Sequence, residues 1–193
     1  MVQPAEKEYY TFADYLTWDE HDRIEVINGY AVMMAPPMRV HQKVSAEIFD
    51  QIFSFLKDKP CEVYYAPFGV RLFEENGDSP EDVDTIVEPD ISVVCDHGKL
   101  DDYGCKGAPD MIVEILSPST LRHDRIVKLN LYQRAGVREY WIADPQSRSI
   151  EVYLRDENNY LKPHEVYTAA DTAKVTVLEG CTVELGKVFT EEK

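Results

Sequence analysis

Two acidic residues lie within runs of apolar residues, where an isolated carboxylate is costly. Residues 110–117 read DMIVEILS, and the alternation of a β-strand leaves Glu114 as a charge on otherwise apolar faces. In residues 87–96, VEPDISVVCD, Asp90 enters a second apolar strand. Either acid alone would be explained by an arginine partner or a turn, because a buried carboxylate must be paired, protonated or bound to a metal. Two such acids on neighbouring strands instead predict a shared divalent cation.

A lysine on the following helix is the third residue with a chemical role. The sequence after Glu114 predicts a helix, with Ser119 as its N-cap and Gly136 as its C-cap glycine. At i, i+3, i+4 spacing Lys128 shares a stripe with Leu121, Leu131, Tyr132 and Ala135, which predicts that it faces the sheet. The alternative is an exposed Asp124–Lys128 ion pair, which stabilises a helix only slightly.

Four further residues are candidates for the same site. Glu25 lies between apolar residues in the first predicted hairpin and is either structural or a further acid near the metal. His41 opens a predicted helix and either supports that helix or touches substrate. Arg122 and Arg125 belong to a basic stretch of the later helix and could contact phosphates without reading bases.

The remaining elements follow from periodicity and turn residues. A mixed sheet flanked by helices, of the α/β (α+β) class, is predicted from their order. The first of these elements are a short helix from Thr11 with a capping box to Asp14, a hairpin at 23–35 that turns on Asn28-Gly29, and a helix at 41–57. They are followed by a strand at 61–73 with a kink at Pro67, a loop at 74–84, strands at 139–145 and 149–155, and short C-terminal strands.

Composition limits the class of protein. The 193 residues suit one domain, and no apolar run is long enough to span a membrane, so we expect a cytoplasmic protein without a signal peptide. The net charge of −16 opposes nucleic-acid binding on average, but residues 71–104 hold eleven acids against two bases, so the acidity is local. The four cysteines have no metal-binding spacing, and we expect reduced thiols.

Several strings resemble those of the Uma-two family of putative restriction endonucleases, within the PD-(D/E)XK nuclease superfamily. The resemblance runs in order from about residue 11 to residue 155, and the stretch from SPST to ADP is its most specific part. The strings are RIEVINGYAVMMAPP, HQKV, APFGVRL, VEPDISVV, GAPDMIVEILSPST and DRIVKLNLYQRAGVREYWIADP. The resemblance implies one restriction-endonuclease-like domain over residues 1–193, with a central mixed sheet in αβββαβ order, an N-terminal hairpin and C-terminal strands at 156–186.

The resemblance also implies roles for the residues singled out above. Asp90 is the motif aspartate and Glu114 the motif acid, and the carbonyl of Ile115 is a further metal ligand. The motif lysine would stand at Leu116, which is a departure from the pattern. Lys128 on the next helix is the candidate replacement. Glu25 corresponds to the family's hairpin glutamate.

The expected activity is Mg²⁺- or Mn²⁺-dependent endonucleolytic cleavage of nucleic acid, with DNA as the expected substrate and a homodimer as the expected assembly. One alternative is a catalytically degenerate domain that binds nucleic acid or protein without cleavage, which the missing lysine and the acidity favour. Another is a metal-dependent hydrolase of small phosphate esters, which would need no broad basic surface.

Overall fold

The computed structural model describes residues 8–19, 23–118 and 120–190. Within these residues fourteen β-strands form three sheets. The strands are β1 Ile24–Ile27, β2 Tyr30–Met33, β3 Glu62–Tyr65, β4 Val70–Arg71, β5 Ile86–Val87, β6 Ile91–Val94, β7 Leu100–Asp101, β8 Gly104–Lys106, β9 Met111–Ile115, β10 Glu139–Asp144, β11 Ser149–Arg155, β12 Leu161–Thr168, β13 Thr172–Lys174 and β14 Thr182–Glu184.

Four α-helices accompany the described strands: α1 Phe12–Tyr15, α2 Arg39–Leu56, α3 Leu129–Ala135 and α4 Leu185–Val188. A 3₁₀ turn covers His97–Lys99, and a π-helical segment, His123–Lys128, runs directly into α3. No helix among the described residues is long and apolar enough to cross a membrane.

The central sheet has the strand order β12-β11-β10-β9-β6-β3. Its neighbouring strands are antiparallel except for β9 and β10, which are parallel. A parallel pair needs a crossover connection, and the π-helical segment with α3 provides it. In chain order α2, β3, β6, β9, this helix and β10 give the expected αβββαβ arrangement, so the predicted mixed α+β fold is confirmed.

Helices cover both faces of the central sheet. On one face, α2 contributes Val44, Ile48 and Ile52 to a core that includes Val113 and Ile115 of β9. On the other face, Leu131 and Tyr132 of α3 join a second core with Ile112 and Leu116. The predicted alternation of residues along β9 is therefore confirmed, and it directs Glu114 towards the face that α3 covers.

The N-terminal hairpin forms the edge of a second sheet, in the order β2-β1-β5-β4-β8-β7. Asn28 and Gly29 have φ values of 49° and 81°, which a type I′ turn requires and which glycine and asparagine tolerate best. The short N-terminal helix also matches its prediction, because the Thr11 amide donates to the Asp14 carboxylate over 3.0 Å.

Two predicted strands are each divided between the two large sheets. The strand predicted at 61–73 breaks at the cis Ala66-Pro67 bond into β3 and β4, and that at 87–96 breaks near Pro89 into β5 and β6. Proline lacks the amide hydrogen that a strand interior needs, so the chain leaves the central sheet at Pro67 and enters it after Pro89. At 61–73 the predicted kink at Pro67 is a complete break, and the prediction of one uninterrupted strand at 87–96 was wrong.

Cys61 and Cys95 form a disulfide, so the expectation of four reduced thiols was wrong for this pair. Strands β3 and β6 are antiparallel with Glu62 opposite Val94, and one further step along the register places the two cysteines opposite each other. Their Cα atoms are 4.0 Å apart although 34 residues separate them in the chain. Cys105 and Cys181 are free and buried, as expected of reduced thiols.

Candidate active site

Asp90 and Glu114 meet because β6 and β9 are antiparallel neighbours. Ile91 pairs with Val113, and the same register continued by one residue sets Asp90 across from Glu114. The Ile115 amide donates to Oδ2 of Asp90 over 2.8 Å, which fixes that carboxylate beside β9. Asp90, Glu114 and Ile115 line one cavity of about 280 Å³. The structure therefore brings together the three residues that the sequence singled out as metal ligands.

Lys128 lies between two buried carboxylates. Its Nζ is 2.8 Å from Oε1 of Glu25 and 2.9 Å from Oε1 of Glu114, and the three side chains are at most 5% exposed. The Tyr132 hydroxyl also donates to Oε1 of Glu114, over 2.5 Å, and the Glu88 amide donates to Oε1 of Glu25 over 3.0 Å. The prediction that Lys128 points inward is confirmed, and an exposed Asp124–Lys128 pair is excluded because Asp124 is buried as well.

The π-helical segment changes which residues share the inward stripe. Leu121 was predicted to lie on that stripe with Lys128, but its side chain is 46% exposed. A π-helix has more residues per turn than an α-helix, so His123–Lys128 rotates the residues before it relative to those after it. The N-cap predicted at Ser119 lies outside the described residues.

One buried ammonium faces more than one buried carboxylate, and the pKa values of the acids are raised first by burial and then by their neighbouring carboxylates. Burial raises the pKa of Glu114 to about 8, against the attraction of Lys128, and the charges of Asp90, Asp124 and Glu25 raise it further. Burial lowers the pKa of Lys128, but the carboxylates of Glu114 and Glu25 outweigh it and raise that pKa above its ordinary value. Burial likewise raises the pKa of Asp124. The raised pKa values mean that burial disfavours the charged form of Glu114 and Asp124, and a bound cation would favour that form.

The donor set fits a divalent cation of the magnesium type. Such ions are held by one or two carboxylates together with waters and substrate phosphates, which Asp90 and Glu114 could supply with the Ile115 carbonyl. In addition, Oε2 of Glu25 is buried and accepts no hydrogen bond from any residue that the structure describes. Within the described ranges no three His, Cys, Asp or Glu side chains are arranged as a ready metal-binding group, so the fit depends on two carboxylates and not on a larger cage.

His41 contacts Asp90, the aspartate of the proposed metal-binding pair. Its Nε2 lies 3.1 Å from Oδ2 of Asp90, at the N-terminal end of α2, which begins two residues earlier than predicted. His41 and Asp90 also line a larger neighbouring cavity of about 520 Å³. The two cavities share Arg23, which sequence reasoning missed because a single arginine before a short strand carries no periodic signal. Asp124, also missed, lines the smaller cavity, and its i, i+4 spacing to Lys128 was the available signal.

The two arginines proposed for phosphate contacts lie elsewhere. Arg122 is exposed, and Arg125 is ion-paired with Glu151 at 2.6 Å. Neither lines the two cavities that contain Asp90. Their contact with substrate stays a prediction.

The fold and the buried acids together define a restriction-endonuclease-like domain. The family model described as putative restriction endonuclease, Uma2, matches residues 12–186, and the chain belongs to this family. An uncharacterized protein of Synechocystis sp. is 24% identical over 148 residues, covering 75% of this chain and 74% of that protein. The crystal structure of a putative nuclease belonging to DUF820 from Anabaena variabilis superposes with a TM-score of 0.72 at 19% identity, covering 94% of this chain and 98% of that one, which supports the fold.

Proposed function

We propose that this protein is a divalent-metal-dependent endonuclease that hydrolyses phosphodiester bonds in nucleic acid, with DNA as its substrate. The proposal is carried by one observation: Asp90 and Glu114, from neighbouring strands, line one cavity with Ile115. Membership of a family described as putative restriction endonucleases supports it. A homodimer, which would present two such sites to a duplex, belongs to the same proposal.

Asp90, Glu114 and the Ile115 carbonyl would hold Mg²⁺ or Mn²⁺. When bound, such an ion polarises the scissile phosphate and lowers the pKa of a coordinated water, which generates the nucleophile near neutral pH. The rest of the site depends on the protein's own groups. The amide of Ile115 and the imidazole of His41 both contact Oδ2 of Asp90, so they orient this carboxylate towards the cavity.

Lys128 acts within the site as a buried positive charge. Its ammonium bonds to Glu25 and Glu114, so it fixes the direction of the Glu114 carboxylate and balances part of the negative charge. Because Lys128 follows Glu114 on the crossover helix, its position substitutes for a lysine on the strand itself. Arg23, which lines both cavities, is placed to attract a substrate phosphate.

A catalytically degenerate nuclease domain is the second candidate. The observation that favours it is Leu116, which occupies the place of the motif lysine and is buried in the apolar core beneath α3. Lys128 is also engaged by two carboxylates and therefore less available to a reacting water. This candidate predicts nucleic-acid or protein binding without cleavage in Mg²⁺ or Mn²⁺.

Nicking of supercoiled plasmid DNA tests the proposal. In Mg²⁺ or Mn²⁺ we expect nicked and linear products from the wild type and at least a ~100-fold loss of rate for Asp90→Ala, since even outer partners of a metal site cost about 10–100-fold. Asp50→Ala, at an exposed position on α2, is the matched control and should cleave like the wild type. Circular dichroism should show the same fold in all three proteins. Equal cleavage by Asp90→Ala and the wild type would reject the assignment.

A further inference from the structure

The larger of the two cavities is built differently from the smaller one. It has a volume of about 520 Å³ and continues from the acidic site, sharing Arg23, His41 and Asp90 with it. Its lining also contains two aromatic rings, Phe49 of α2 and Tyr65 of β3. A cavity of this size is in the range that holds a small organic ligand. A ligand in this cavity would therefore lie next to Asp90.

Tyr65 is held in place while most of its surface stays accessible. Its ring packs edge-to-face against Phe49 with centroids 4.9 Å apart and an interplanar angle of 81°, and Phe49 in turn stacks on Phe53 at 5.6 Å. Nevertheless Tyr65 is 61% exposed. The backbone keeps it near the acids, because Tyr65 pairs with Ile91, the residue after Asp90. A fixed and exposed ring beside a polar site is the arrangement that stacks nucleobases.

We propose that this cavity binds one unpaired nucleotide of the substrate strand, with its base stacked on Tyr65 and its phosphate towards Arg23 and His41. The inference rests on the proposed nuclease function and deepens it, because it names single-stranded or locally unpaired nucleic acid as the substrate class. A base inside a duplex shows only its edges and stacks on its own neighbours, so its face reaches a side chain only after it leaves the stack.

The charges of the cavity indicate that stacking supplies most of the affinity. The cavity is lined by two basic residues, Arg23 and His41, and by two acidic residues, Glu88 and Asp90. It therefore has no excess of positive charge that would attract phosphates. Binding that depends on neutralising many phosphates weakens steeply with salt, whereas stacking does not. We therefore expect a shallow dependence of affinity on salt and a strong dependence on the ring of Tyr65.

A fluorescence titration with matched variants tests this inference. The probe is a single-stranded DNA oligonucleotide carrying 2-aminopurine at every third position, compared with the same strand in a duplex, in Ca²⁺ with cleavage checked on a gel. Tyr65→Ala should weaken single-strand binding by about 5- to 150-fold, which corresponds to the ~1–3 kcal/mol measured for base–aromatic stacking. Tyr65→Phe keeps the ring and should bind within about two-fold of the wild type. Tyr160 is also exposed but does not line this cavity, so Tyr160→Ala should leave binding unchanged.

The outcomes separate this inference from the proposed function. If the wild type cleaves DNA but Tyr65→Ala binds the single strand as tightly as the wild type, the stacking site is refuted and the nuclease proposal stands. The stacking site is also refuted if Tyr65→Ala weakens binding of duplex and single strand equally. If the wild type binds the single strand through Tyr65 but cleaves no nucleic acid in Mg²⁺ or Mn²⁺, the nucleotide site stands and the nuclease proposal fails.

Discussion

Replacing Lys128 with methionine measures how strongly the buried ammonium stabilises the two carboxylates around it. Its Nζ lies 2.8 Å from Glu25 and 2.9 Å from Glu114, and solvent does not reach the lysine. Methionine keeps an apolar stem but removes the charge, so both carboxylates lose their cation. Removing one partner of a buried ion pair costs about 3–5 kcal/mol. For a chain of this length each kcal/mol lowers Tm by roughly 2–4 °C, so we expect a decrease of roughly 6–20 °C.

Urea unfolding followed by tryptophan fluorescence gives the free energy of unfolding of each variant. Lys174→Met, at an exposed strand position, is the control and should lie within about 0.5 kcal/mol of the wild type. Adding Glu25→Gln to Lys128→Met should recover at least ~1 kcal/mol, because one uncompensated carboxylate is removed. A Lys128→Met variant within about 1 kcal/mol of the wild type would refute this reasoning, as would a double variant less stable than the single one.

Two further predictions concern buried groups outside the site. Burial raises the pKa of Cys105 and Cys181 to about 11, so a thiol reagent at pH 8 should modify no cysteine in the native protein. It should modify two cysteines after unfolding and all four after unfolding with a reductant, which opens the disulfide. Four reactive cysteines without a reductant would contradict the disulfide. Burial also raises the pKa of Glu139 above its ordinary 4.5, so the folded state binds more protons and this group's contribution to stability decreases as pH rises. Relative to Glu139→Gln, the wild type should therefore lose unfolding free energy as the pH of the urea titrations rises above 4.5. A difference between the two proteins that stays constant or grows with pH would contradict the raised pKa.

The parts of the fold that depend on neighbouring residues were predictable. The hairpin at Asn28-Gly29 needs only positive φ values at two adjacent positions, and α2 needs only its apolar spacing. The inward position of Lys128 followed from the same periodicity, since Leu131 and Tyr132 on its stripe are buried. Burial of Glu114 was predictable because the strand around it has no polar face.

The parts that depend on distant residues were not predictable in the same way. The Cys61–Cys95 disulfide exists because two strands pair in one register, and nothing near either cysteine specifies that register. Pro67 and Pro89 were visible, but the sheet that each following segment joins is decided by long-range pairing. The position of Arg23 beside the acids was not predictable for the same reason, because the residues that line the two cavities with it come from distant parts of the chain, including α2 and β9.

Local periodicity also assumed a regular helix after Glu114. The π-helical segment breaks that assumption, and as a result Leu121 is exposed while Asp124 is buried beside the acids. From the sequence, a role for Asp124 was considered only in the alternative of an exposed ion pair with Lys128, because α-helical spacing alone does not reveal what faces a residue. Its burial places a third carboxylate in the cavity of Asp90 and Glu114.

The central claim is that Asp90 and Glu114 hold one divalent cation. Anomalous scattering from a crystal soaked in Mn²⁺ tests it most directly. We expect one strong peak in the smaller cavity, with carboxylate oxygens of both residues within about 2.0–2.6 Å. The same soak of Asp90→Ala should lose this peak. No peak between the two acids, or manganese bound only at the acidic loop of residues 74–84, would contradict the account.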